Sequence, residues 1–144
     1  MPQPHVYQGS CHCGAIRATL LATKPADELQ VRACQCSFCL RQGAKTVSDP
    51  AGLAIFEIER ALLGKYQFAT RTGISLICAR CGIYAGVVLE DAGKTWSVLN
   101  VRGLGIAAWQ GRPAEPVVYD AETPAERIAR RKAKWTPTEL KYSQ

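Results

Sequence analysis

Histidine is scarce in this 144-residue chain, which has only His5 and His12, and no acidic cluster adjoins either of them. That scarcity argues against carboxylate cages for magnesium, calcium or manganese, and against imidazole centres that activate water. No apolar run approaches the ~18–20 residues that a membrane-spanning helix needs. The first residues, Met1-Pro2-Gln3-Pro4-His5, lack the basic and apolar regions of a signal peptide. The expectation is a cytoplasmic protein with no membrane partner. No internal repeat or low-complexity segment stands out, and strands do not alternate with helices as they do in a βαβ fold.

Cysteine, in contrast, is abundant and clustered. The seven fall into a C-x-C (Cys11, Cys13), a C-x-C-x-x-C (Cys34, Cys36, Cys39) and a C-x-x-C (Cys78, Cys81). In a reducing compartment such clusters bind metal more often than they pair as disulfides, and neighbours this close are poorly placed to staple distant segments. Thiolates without adjacent histidines or carboxylates select soft cations, zinc before an iron–sulfur centre, whose usual spacings differ. The simplest partition joins the outer pairs, Cys11, Cys13, Cys78 and Cys81, into a closed structural site, with Gly14 and Gly82 letting the chain turn so that amide N–H groups face sulfur. Cys34, Cys36 and Cys39 then form a second site with a position left open. The alternative is closure by His5, His12 or an acidic residue. Two Zn²⁺ per chain are expected.

An open three-thiolate zinc is a weak Lewis acid, because its ligands carry more negative charge than the ion carries positive. It suits a thiol, held as a nucleophilic thiolate, better than water. Arg41 and Lys45, which follow the triplet, are candidates to pair with a carboxylate or steady a developing alkoxide. Ser37 is a candidate donor to a ligand sulfur.

The chain's length fits one domain, residues 1–144. Strand signals dominate the first hundred residues, at 15–21, 29–33, 53–58, 65–68, 74–77, 83–89 and 96–101. Residues 49–52 mark a loop and 91–94 a hairpin turn. This pattern predicts a mainly β fold of antiparallel sheets packed face to face. One helix is expected over about 124–135, opened by the capping box Thr123-Pro124-Ala125-Glu126 and stopped by Pro137. Its predicted packing stripe is Ala125, Ile128, Ala129 and Trp135, with Arg127, Arg130 and Arg131 outward or sideways. The formal charge is +6, and two dications with seven thiolates bring it to +3. Much of that charge sits on this helix, which reads as a solvated face. The rival reading is a binding module presenting it to nucleic acid or a protein, although only Trp135 interleaves aromatically.

Gly9-Ser10-Cys11-His12-Cys13-Gly14, Cys34-Gln35-Cys36-Ser37-Phe38-Cys39 and Cys78-Ala79-Arg80-Cys81-Gly82 resemble, in order and separation, the three signature blocks of the glutathione-dependent formaldehyde-activating family, which includes centromere-protein-V-type members. The resemblance covers about residues 5 to 120. It implies a β-tent of stacked antiparallel sheets, a structural zinc on the outer four cysteines and a catalytic zinc on the middle three. The activity it implies is addition of a small thiol, typified by glutathione, to a small aldehyde such as formaldehyde, formally a carbon–sulfur lyase in reverse. Relatives with this fold also reduce methionine sulfoxide, but that work needs cysteines free of metal. The segment Leu99-Asn100-Val101-Arg102 and the arginine-rich helix depart from the founding pattern.

Overall fold

Alternating burial sets up the first layer. In the computed structural model, which describes residues 3–144, strands β1 (His5–Ser10) and β2 (Ile16–Ala22) pair antiparallel from His5–Ala22 to Ser10–Arg17. Ile16, Ala18, Leu20 and Ala22 are buried and the residues between them are more open, the period-two signature of a strand with one face on a core. A short β3 (Arg32–Cys34) runs into a six-residue helix, α1 (Ser37–Gln42), which Gly43 ends in the left-handed conformation at φ 61°. After β4 (Thr46–Val47), β5 (Leu53–Glu59) pairs antiparallel with β2 and buries Ala54, Phe56 and Ile58.

The second layer is a meander. Strands β6 (Leu63–Tyr66), β7 (Ile74–Cys78), β8 (Tyr84–Asp91) and β9 (Lys94–Asn100) follow one another antiparallel. The β8–β9 turn closes with Ala92 at φ 53° and Gly93 at φ 78°, the positive angles that a two-residue hairpin turn requires. Next come β10 (Glu115–Val117), α2 (Pro124–Lys134) and β11 (Thr136–Ser143). The last strand ties the layers together. Its start pairs with β9 at Trp96 and Ser97, and its remainder runs parallel to β5 from Thr138 to Ser143. One buried cluster, including Ile16, Phe56, Leu76, Val88, Leu99 and Trp109, fills the space between.

The seven predicted strands are all present, within a few residues of their expected limits. The expectation of wholly antiparallel sheets is refined by two parallel pairs, β5–β11 and β3–β10. The capping box forms as predicted: Thr123 Oγ1 accepts from the Glu126 N–H at 3.1 Å, and the Thr123 N–H donates to Glu126 Oε1 at 2.9 Å. The predicted packing face of α2 is corrected. Ala125 and Ala129 are exposed, whereas Arg127, Ile128, Arg130 and Arg131 are partly buried and Trp135 fully so. The arginines turn inward because β3, β8 and the 68–75 segment leave a cavity beneath them, lined by polar and aromatic groups that accept guanidinium.

Candidate metal centre

Two knuckles of the same construction build the four-cysteine group. In each, the first cysteine's N–H donates to the carbonyl five residues on: Cys11 to Ile16 at 2.8 Å and Cys78 to Ile83 at 2.9 Å. In each, the glycine after the last cysteine is left-handed, Gly14 at φ 86° and Gly82 at φ 80°, and its N–H returns to the first cysteine's carbonyl. This turn is why glycine ends both pairs. Backbone N–H groups then face sulfur, from Ile16 to Cys11 Sγ at 3.3 Å and from Cys81 to Cys78 Sγ at 3.4 Å.

The knuckles meet across the fold. Cys11 and Cys13 sulfurs lie 3.8 Å apart, and Cys13 and Cys78 sulfurs 3.5 Å. All four sulfurs fall within 4.8 Å of one another, and no cysteine is disulfide-bonded. A tetrahedron with metal–sulfur bonds of about 2.3 Å has edges of about 3.8 Å, so the group fits a metal ion. Burial pushes the Cys11 thiol up to about 11. The Ala15 N–H, with Arg80 alongside, brings Cys13 down to about 6. Arg80, within the C-x-x-C, thus serves as a counter-charge, a role its position alone does not announce.

The three-cysteine group is built differently. Cys34 ends β3, Cys36 is the N-cap of α1 and Cys39 lies in its first turn, where the Cys39 N–H donates to Cys36 Sγ at 3.4 Å. Their sulfurs also fall within 4.8 Å of one another, so this group too can hold a metal. A hydrogen bond from Cys39 holds the Cys34 thiol down to about 5, and the same bond, with burial, pushes Cys39 up. The pair shares one proton unless a cation replaces it.

These three sulfurs line a cavity of about 380 Å³ that the outer four do not reach. Phe38, Phe68 and Tyr84 form one side of it, with Phe38 5.1 Å from both other rings. Arg32, Arg127, Arg130 and Arg131 supply cations, and Asp120 and Glu122 the carboxylates. Tyr84 is buried, and burial, together with the three nearby cysteines, pushes its hydroxyl well above its ordinary pKa, so it remains a donor. Asn100 fixes that residue, donating to the Tyr84 carbonyl at 2.8 Å and accepting from the Lys45 N–H at 3.1 Å.

Arg41 and Lys45 are not among the cavity residues. Arg41 is exposed, and the Lys45 ammonium donates instead to the Arg112 carbonyl at 2.8 Å. Ser37, His5 and His12 are exposed, and neither histidine joins either cysteine group. Sequence reasoning missed Arg32, Thr72, Tyr84 and the inward turn of Arg131, which depend on contacts remote in the chain. A local signal existed only for Phe38, which sits inside the C-x-C-x-x-C.

Glu122 organises the cationic wall. It accepts two bonds from Arg130, at 2.7 and 3.1 Å, and one from Arg127 at 3.4 Å. The Arg130 fork holds its carboxyl below the usual 4.5. A carboxyl lowered by folding adds stability above its unfolded pKa and loses it as pH falls from there through the folded value. The thermal midpoint of Glu122→Gln is therefore expected below wild type at neutral pH, with a flatter decline as pH falls below about 4.5. Parallel acid slopes in a pH series of melting curves would remove Glu122 from this role.

No protein-family model matches the chain, so the family resemblance stands on the three cysteine blocks. A crystal structure of a Rhodobacter sphaeroides protein, solved by structural genomics, is similar to this one with a TM-score of 0.56. Sequence identity is 29%, and the match covers 76% of this chain and 99% of that one. That likeness supports the fold.

Proposed function

We propose that the protein is a zinc enzyme joining a small thiol to a small aldehyde, or cleaving the adduct. One observation carries the reading: the incomplete set of three cysteines opens on the cavity, whereas the complete set of four lies away from it. In that division Cys11, Cys13, Cys78 and Cys81 hold a structural zinc, and Cys34, Cys36 and Cys39 hold a reactive one. When bound at the three cysteines, zinc supplies a soft site that keeps a thiol sulfur ionised and nucleophilic.

The step conserves atoms and electrons. The thiol sulfur forms a bond to the aldehyde carbon, the C=O π pair moves to oxygen, and the proton lost from sulfur ends on that oxygen. Tyr84 keeps its proton through burial and lines the cavity with the cysteines, so it is the residue we assign to hydrogen-bond the developing alkoxide. Phe38 and Phe68 give the cavity an apolar wall against which the aldehyde can be held. Arg41 and Lys45, outside the cavity, take no part in this assignment. The inward turn of Arg127, Arg130 and Arg131 leaves Lys132 and Lys134 as the exposed cations of α2, which favours the enzyme reading over a nucleic-acid module.

The test is zinc content of the reduced protein beside that of Cys34→Ala, with turnover of glutathione and formaldehyde in both. The expected result is two zincs falling to one, retained fold and lost turnover. A single zinc that survives the substitution, or turnover that survives it, overturns the assignment.

A further inference from the structure

The cavity's charges do not balance among themselves. Glu122 is taken up by Arg127 and Arg130, and Arg130 also lies 3.5 Å over the Tyr119 ring. Among the described residues, Arg32 and Arg131 have no carboxylate partner. Arg32 donates to Ser48 Oγ. Arg131 is fixed on two sides, by an Nη1 bond to Thr72 Oγ1 at 2.8 Å and by the Trp135 ring 4.5 Å away. Its Nε is buried without a hydrogen-bond partner.

A buried guanidinium without a counter-charge is costly, and an anion in the cavity offsets that cost. Burial pushes Arg131 down to about 10, which leaves it charged at neutral pH. The fold reserves its place: a Cβ on Gly73 would stand 2.8 Å from Arg131 Nη1 and 2.9 Å from Val87 Cγ2. The same cavity is lined by the flat rings of Phe38, Phe68 and Tyr84. A one-carbon aldehyde leaves both walls without a partner.

We infer that Arg131, with Arg32 lining the same cavity, is a carboxylate-recognition subsite, and that the cavity selects a reactant with an anionic end and a flat apolar body. The inference builds on the proposed reaction by naming the class of molecule that enters the same cavity. Arg131 acts here as a specificity residue, donating from Nη2, which has no hydrogen-bond partner among the described residues, to a carboxylate oxygen while its Nη1 stays on Thr72.

Benzoate and its neutral counterpart benzamide are the probes. Their binding is read from the fluorescence of Trp135, which lines the cavity against Arg131. Benzoate is expected to bind at least about tenfold more tightly than benzamide, and Arg131→Gln to weaken benzoate by about ten- to hundredfold with benzamide unchanged. If that variant does not fold, the Arg131 Nε–H resonance of nitrogen-labelled wild-type protein gives the answer, shifting with benzoate and not with benzamide. Equal binding of the two probes, binding of neither, or an Nε–H signal that does not respond to benzoate overturns the subsite. Para-mercaptobenzoate binding more tightly than benzoate assigns the carboxylate to the thiol reactant; any other order, with benzoate bound, assigns it to the aldehyde. No turnover is needed for these measurements. Benzoate binding without thiol–aldehyde turnover refutes only the reaction, and turnover without benzoate binding refutes only the subsite.

Discussion

Cys78→Ser is expected to lower stability by more than about 4 kcal/mol, enough to leave the chain unfolded or nearly so at physiological temperature. Cys78 is 1% exposed, ends β7, and is one of the four sulfurs that join the 11–14 turn to the 78–82 turn. Cys13 and Cys78 are 65 positions apart in the chain, yet their sulfurs lie 3.5 Å apart. A metal bound there closes a long loop in the folded state alone, so its binding free energy is folding free energy. Serine leaves three thiolates and puts a hydroxyl in a site shaped for sulfur, which removes most of that contribution. Thermal unfolding with and without a zinc chelator checks this. Wild type should fall toward Cys78→Ser when chelated, and the variant should respond little. A variant that melts with wild type would mean that the core around Phe56 and Leu99 sustains the fold unaided, and the structural role of the four-cysteine group would be lost.

The features legible in the sequence are those whose physics is local. Two knuckles, a hairpin turn at 91–94 and a capping box at 123–126 each depend on a few neighbouring residues, and each forms where expected. Cysteine spacing likewise told which sulfurs could share a cation, because the partition into four and three follows from counting ligands. The missed elements lack such signals. Strand β11 reads Thr-Pro-Thr-Glu-Leu-Lys-Tyr-Ser, polar at most positions, and becomes a strand because β5 and β9 both present unpaired edges to it. Helix α1 is only six residues long, too short for a periodic signal, and the triplet spans a strand end, a cap and a first turn that cysteine spacing does not separate. Arg131 misled for a third reason. Helical periodicity identifies a face by hydrophobicity, and it assigns arginine outward unless something within the fold accepts a guanidinium. Thr72, Trp135 and the cavity do so here, and of these only Trp135 belongs to the α2 pattern, where it reads as a packing residue rather than as a partner for a cation.

Cys36→Ser separates the two cysteine groups most sharply, because position 36 has two jobs that serine divides. The first is structural: Cys36 is the N-cap of α1, accepting from the Cys39 N–H. Serine is among the best N-cap residues, so the cap and the helix survive. The second is ligation, which serine does poorly for a soft cation. Thiol–aldehyde turnover is therefore expected to fall by at least about a hundredfold, since even residues that only orient a ligand cost tenfold to a hundredfold when changed. Stability should move by less than about 1 kcal/mol, within the range of an ordinary substitution. The contrast with Cys78→Ser is the discriminating result: one variant folded and inactive, the other unfolded. Zinc content, melting and adduct formation from glutathione and formaldehyde, measured on both, resolve it. A Cys36→Ser protein that retains turnover places the chemistry elsewhere, and one that unfolds makes the three-cysteine group a second structural clasp. The cap geometry makes the second outcome a strict one, because a serine that preserves the helix start leaves loss of the metal as the remaining cause of unfolding.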